Sequence, residues 1–141
     1  MTEETQTVGK TADVGYQIGV RRTLPCGEEA LWSLILSPTG QTIWLGGAIA
    51  LEDGARYALD NGTTGRVRVY KPWSHIRPTW QPQGWARPST VQVRVAAASR
   101  GTTVSFHQEH LADGAARSVM KAHWEGVIAQ LAAGLSSSAR G

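Results

Sequence analysis

Cysteine occurs once in the 141 residues, at Cys26, so no internal disulfide can form. Without covalent staples the chain depends on its core, and a domain of this length buries about 68–70% of its unfolded surface. One domain is therefore expected, in a reducing compartment. Cys26 lies between Pro25 and Gly27 with no histidine nearby in sequence, which argues against an activated thiol. Long apolar runs are also missing. The longest, Leu31 to Leu36, is broken by Ser33 and falls far short of the roughly 20 residues of a membrane span. The opening Met1-Thr-Glu-Glu-Thr-Gln has no apolar stretch of the signal-peptide kind, so a cytoplasmic location is expected. Lys/Arg-rich runs and nucleic-acid motifs are absent, and no nucleic-acid partner is expected. There is no repeat and no low-complexity tract.

What charge there is lies unevenly. The net +3 divides into four basic and eight acidic side chains in residues 1–60, and ten basic and three acidic in residues 61–141. Such asymmetry suits an anionic partner, or a solvated sheet face rich in arginine.

Residues 1–14 read as a polar tail. Gly15 to Leu24 alternates as a first strand and stops at Pro25-Cys-Gly. Glu28 to Leu36 reads as a short helix with two carboxylates in its first turn, where the helix dipole favours anions. Pro38 opens a second short helix that ends at Gly46-Gly47. From Ala48 the period becomes two. Strands are expected at Ala48–Leu51 and Ala55–Asp60 around the turn Glu52-Asp53-Gly54, then from Arg66 to Tyr70 after the turn Asn61-Gly62. His75 to Gln81, Thr90 to Ala97 and Thr103 to Leu111 complete seven strands. Pro78 conflicts with a central position, because proline belongs on edges or at bulges. Asp113 to Leu135 is the long helix, capped by Asp113. Its stripe is Val119, Met120, His123, Trp124, Val127, Ile128, Leu131 and Leu135. Residues 136–141 read as a flexible C-terminal tail. Segregated strands and helices make the fold class α+β, and only the last helix is long enough to cover the apolar side of the sheet.

This order resembles the START-like, birch-pollen-allergen-like helix-grip (SRPBCC) superfamily. Within it, the chain is similar to bacterial homologues of the activator of heat-shock-protein ATPase. The segments that carry the resemblance are Val20-Arg-Arg-Thr-Leu-Pro with Trp32, Ser37-Pro-Thr-Gly with Ile43-Trp-Leu-Gly, Thr79-Trp-Gln-Pro, Ser89-Thr-Val-Gln-Val-Arg-Val, Val104-Ser-Phe-His-Gln-Glu-His-Leu and His123-Trp-Glu. Together they run from about Gly9 to Leu135. The resemblance implies a curved antiparallel sheet gripping a long C-terminal helix over residues 15–135, with an apolar cavity between them. It implies no single activity, since the superfamily holds lipid carriers, cyclases, chaperone regulators and members of unknown role.

The cavity is expected to be lined by Tyr57, Val69, Trp80, Val93, Phe106, Gln108, Met120, Trp124 and Ile128, with Gln108 the polar member. A small apolar or aromatic molecule is the expected partner. On the outer side Arg66, Arg68, Arg77 and Arg94 make a basic face to which an acidic protein, a chaperone among them, could dock. A cyclase or hydratase using the cavity as a mould is the third reading. His107, Glu109 and His110 look like metal ligands, but alternation puts His110 on the opposite side, leaving fewer ligands than zinc wants. With a loop at Arg100-Gly101, Arg94 falls opposite His107 and diagonal to Glu109, an outer-face polar cluster. No metal, cofactor or catalytic residue is expected. Trp73 and Trp85 fall in loops at opposite ends of the meander.

Overall fold

The structure is a computed structural model that describes residues 10–11 and 15–140. In chain order the elements are β1 (Lys10–Thr11), β2 (Gly15–Leu24), α1 (Glu28–Leu36), α2 (Pro38–Trp44), β3 (Arg56–Ala58), β4 (Thr64–Lys71), β5 (His75–Trp80), β6 (Ser89–Ala98), β7 (Gly101–Leu111) and α3 (Gly114–Arg140). All pairings are antiparallel. The sheet order is β1-β2-β7-β6-β5-β4-β3, so consecutive strands are neighbours from β3 to β7, and β2 joins the far side of β7. Most of the expected tail 1–14 lies outside the described residues.

Three expectations about elements do not hold. Ala48–Leu51 is not a strand; the Ile49 N–H is taken by the Gln41 side chain of α2 at 2.7 Å instead of by a neighbouring strand. Six strands of three or more residues therefore form the sheet, with the two-residue β1 beside β2, and the seventh expected strand is absent from its place. The last helix runs on to Arg140, past the expected end at Leu135. The β6–β7 loop is Ser99-Arg100, because Ala98 pairs with Gly101. Closing one residue early shifts the ladder by two, so Arg94 faces Ser105, Gln92 faces His107 and Thr90 faces Glu109.

Local chemistry explains the helix boundaries. Ser37 ends α1 and caps α2: its Oγ accepts the Gly40 N–H at 3.0 Å, with Pro38 in the first helical position. Gly40 is required at this junction, since a Cβ would overlap the Leu34 carbonyl. Asp113 caps α3 through the Ala116 N–H at 2.8 Å. The buried stripe of α3 is narrower than expected: Met120, Trp124, Val127, Ile128 and Leu131 are buried, while Val119 is 66% exposed. These side chains meet the inner face of the sheet at Ile18, Val67, Ile76, Val91, Val93, Val95, Val104 and Phe106, with α1 and α2 closing one end through Leu31, Trp32, Ile35 and Trp44.

Pro78 is accommodated by a register shift. Val67 pairs with Pro78, but the next pair is Val69 with Arg77, so β4 carries a bulge beside the residue that lacks an N–H. The bulge turns Val69 to the outer face and leaves Tyr70 on the inner one.

Candidate functional site

Of the nine side chains expected to line a cavity, eight are buried: seven belong to the apolar core cluster, and Gln108 is bonded to Trp124 within it. Val69 is the exception. The bulge places it beside Arg68, Arg77, Thr90, Glu109 and His110, around a concavity of about 360 Å³ on the outer side. Trp80, Phe106 and Trp124 meet ring to ring, and Gln108 bonds Trp124. Trp124 lies flat on Phe106, with centroids 4.8 Å apart and planes 10° from parallel. Phe106 leads on to Trp44 of α2 at 6.4 Å, and Trp124 leads to Trp80 of β5 at 5.6 Å. Trp80 in turn takes the edge of Trp85 at 5.8 Å and the His123 ring at 5.8 Å. A series of rings thus runs from Trp44 in the buried core to the half-buried Trp85, on the loop between β5 and β6, and to His123 on the exposed edge of α3.

The polar atoms within this series are held from inside. The Gln108 carboxamide accepts the Trp124 indole N–H at 2.8 Å and donates to Ser89 Oγ at 3.0 Å; Ser89 Oγ then donates to the Trp80 carbonyl at 2.6 Å. The indoles of Trp80 and Trp44 donate to the carbonyls of Leu45 and Ile35, both at 3.0 Å. Tyr57 donates to the Thr79 carbonyl at 2.5 Å, and its ring lies over Gly65, where a Cβ would meet the phenol. Burial pushes the Tyr57 phenol well above its usual range. Although His123 lies at the exposed edge, its ring is partly covered by Trp80 and Trp124, and this desolvation holds it below the usual histidine range.

Sequence reasoning missed Ser89, Trp44 and the Leu45 carbonyl. Ser89 was findable, because it shares parity with Val91, Val93 and Val95. The other two depend on how α2 folds back, which alternation does not report.

The outer face differs from expectation in its pairing. Glu109 is bound by Arg77 at 2.8 Å, not by Arg94, and Arg77 also donates to Gln92 at 3.2 Å. His107 lies 3.7 Å from Glu109 and bonds Gln17 at 2.8 Å. Arg66, Arg68 and Arg94 are exposed and pair with no carboxylate among the described residues. No group of three His, Cys, Asp or Glu side chains there is placed to hold a metal. Burial raises the Cys26 thiol above its usual range, partly opposed by the Thr102 side chain, so the net effect disfavours thiolate.

The family model of the Activator of Hsp90 ATPase homolog 1-like proteins matches residues 27–136. The chain belongs to this family. The fold is similar to that of DynU16, a protein in the dynemicin biosynthetic locus, which superposes with a TM-score of 0.77 at 19% identity over 86% of this chain and 48% of that one. The chain thus spans about half the length of DynU16. Protein MLL2253 from Mesorhizobium loti superposes with a TM-score of 0.72 at 20% identity, over 86% of this chain and 97% of that one. CalU16 from Micromonospora echinospora gives 0.69 at 19% identity, over 82% and 71%. At these identities the likeness is one of fold. No curated protein matches the sequence. No helix among the described residues is long and apolar enough to cross a membrane.

Proposed function

We propose that the chain binds a small flat hydrophobic or aromatic molecule non-covalently between the sheet and α3, as a cytoplasmic protein, with Trp85 and His123 at the entrance. The observation that carries this reading is the ring series itself. It reaches the surface where Trp85 and His123 both rest on Trp80, so a planar guest parting them gains a ring on either side. Behind them, Gln108 supplies the polar group that would orient it. The inner face holds no paired acid and base among the described residues, which favours binding over a cyclase-like reaction.

Native mass spectrometry of freshly purified protein, followed by calorimetric titration with flat aromatic compounds, tests this. Wild type should bind saturably. Trp85→Ala should weaken binding about 3- to 10-fold, the worth of one aromatic pair of about 0.5–1.5 kcal/mol. Arg66→Glu with Arg68→Glu should leave it unchanged. No saturable binding across the set, or equal binding by Trp85→Ala, rejects the reading.

A second reading has its own observation: Arg66, Arg68 and Arg94 stand free of carboxylates on the outer face. An acidic protein partner, such as a chaperone, would dock there. Its binding would weaken with salt and with the Arg66→Glu, Arg68→Glu pair, the reverse of the pattern above.

A further inference from the structure

The turn from β4 to β5 gathers a set of groups of which only Arg94 enters either reading, as part of the basic outer face. Lys71 is the register partner of His75, and His75 is the partner of Arg94, so three basic side chains form one row across β4, β5 and β6. Directly opposed residues in antiparallel strands stand about 4.5–5.5 Å apart. The Ser74 hydroxyl joins the row: its Oγ lies 2.8 Å from His75 Nδ1 and accepts from Arg94 Nη1 at 3.5 Å. Ser74 is fixed by its own backbone, whose carbonyl accepts the Val95 N–H at 3.0 Å and whose N–H donates to Lys71 at 3.1 Å. The preceding residue, Trp73, has φ of 67°, a left-handed conformation that costs a bulky side chain energy. It is held there by its ring against Trp32, at 6.2 Å.

Among the described residues no carboxylate forms an ion pair with Lys71, His75 or Arg94. On β5, Arg77 is committed to Glu109. Beyond Arg94, β7 offers Ser105. Asp53 accepts the Tyr70 N–H at 2.6 Å and forms no ion pair with Lys71. The lack of balance is felt at His75, which is held below the usual histidine range first by burial and then by the charges of Arg94, Lys71 and Arg77.

The geometry points to a binding site for a doubly charged oxyanion, a sulfate or the phosphate of a monoester, between Lys71, His75 and Arg94 with the Ser74 hydroxyl as an added donor. Two full charges and a hydroxyl suit a dianion better than a carboxylate, and charge-assisted hydrogen bonds are the strong kind. Binding and protonation are reciprocally linked. An anion in the row raises His75 toward protonation, and a protonated His75 adds a third cation.

The test follows the His75 ring by NMR in the full chain, with sulfate against sodium chloride at equal ionic strength. Sulfate remains a dianion from about pH 5 to pH 8, so only the protein titrates over this range. Sulfate should move the His75 resonances saturably and raise its pKa, with His110 as the unaffected reference. Lys71→Ala with Arg94→Ala should weaken sulfate about tenfold or more, while Arg56→Ala with Arg66→Ala, on the far edge pair, should leave it unchanged. A phenyl phosphate arm separates the sources: tighter binding than sulfate assigns the site to an organic phosphate, equal binding to the free anion. Shifts no larger than those with chloride overturn the proposal. So does acetate acting as well as sulfate, or an unaffected Lys71→Ala, Arg94→Ala variant. All these positions are at the surface, so the folded state of each variant is checked by its unchanged spectrum elsewhere.

Discussion

Truncating Gln108 to alanine takes the acceptor from the Trp124 indole and a donor from Ser89 Oγ, both deep in the core. An unsatisfied buried polar group costs about 1–3 kcal/mol, and the lost volume adds to this, so Gln108→Ala should lower stability by about 3 kcal/mol in urea unfolding. A loss under about 1 kcal/mol would mean water replaces the amide. His75 and His123 set the pH dependence near neutrality. Both are held below 6.5 in the folded chain, mainly by burial. Above about pH 7.5 they are neutral whether folded or not and exert no effect. As pH falls from 6.5 through the lowered folded values, the unfolded chain takes up protons first and stability drops. The urea midpoint should therefore fall between about pH 7.5 and pH 5.5, and His123→Gln should fall less than wild type. An identical drop in the variant would assign the loss to other groups.

At the scale of elements, the junction of α1 and α2 depends on one missing side chain. Gly40→Ala drives a methyl into the Leu34 carbonyl, against backbone that cannot swing aside. Overpacking of this kind typically costs about 1–3 kcal/mol, and Gly40→Ala should lie at the upper end in urea unfolding. Most elements were legible from period and punctuation. β2 was read at its observed limits, as was α1, because proline, glycine and a clean alternation bound them. What was not legible depended on partners. The apolar residues Ala48–Leu51 suit a strand, but the Gln41 side chain claims the Ile49 N–H. Arg66-Val-Arg-Val-Tyr alternates without a break, so nothing in it announces the bulge; the signal lay in Pro78 across the ladder, and with it the outward turn of Val69. One residue of loop at Ser99-Arg100 decided whether Arg94 or Arg77 would reach Glu109. In the candidate site, the residue types and the inner face were legible. The contact of ring on ring was not, since it follows from the approach of α2 and α3.

For the whole molecule, stability should be graded across the sheet. β7 lies between β2 and β6 with a continuous ladder to β6, whereas β3 is a three-residue edge. Amide exchange should be slowest in β6 and β7, at Val93, Val104 and Phe106, and faster at Tyr57 and Ala58 of β3. Equal protection at the two ends would show that the sheet opens only as one unit.

The pairing of β2 with β7 has a consequence for the chain as it is being made. β2 leaves the ribosome before β3 to β6, yet β7, its main partner in the sheet, is not synthesised until residues 101–111, and the helix that covers its inner face comes later still. Ile18 and Leu24, both buried at the end, meanwhile face water or a chaperone. Synthesis proceeds at about 5–20 residues per second, so this interval lasts seconds. A nascent chain stalled just before β7 has β3 to β6 but leaves open the long edge of β2 that β7 will cover, which makes the order of translation itself a hazard that the finished fold no longer shows.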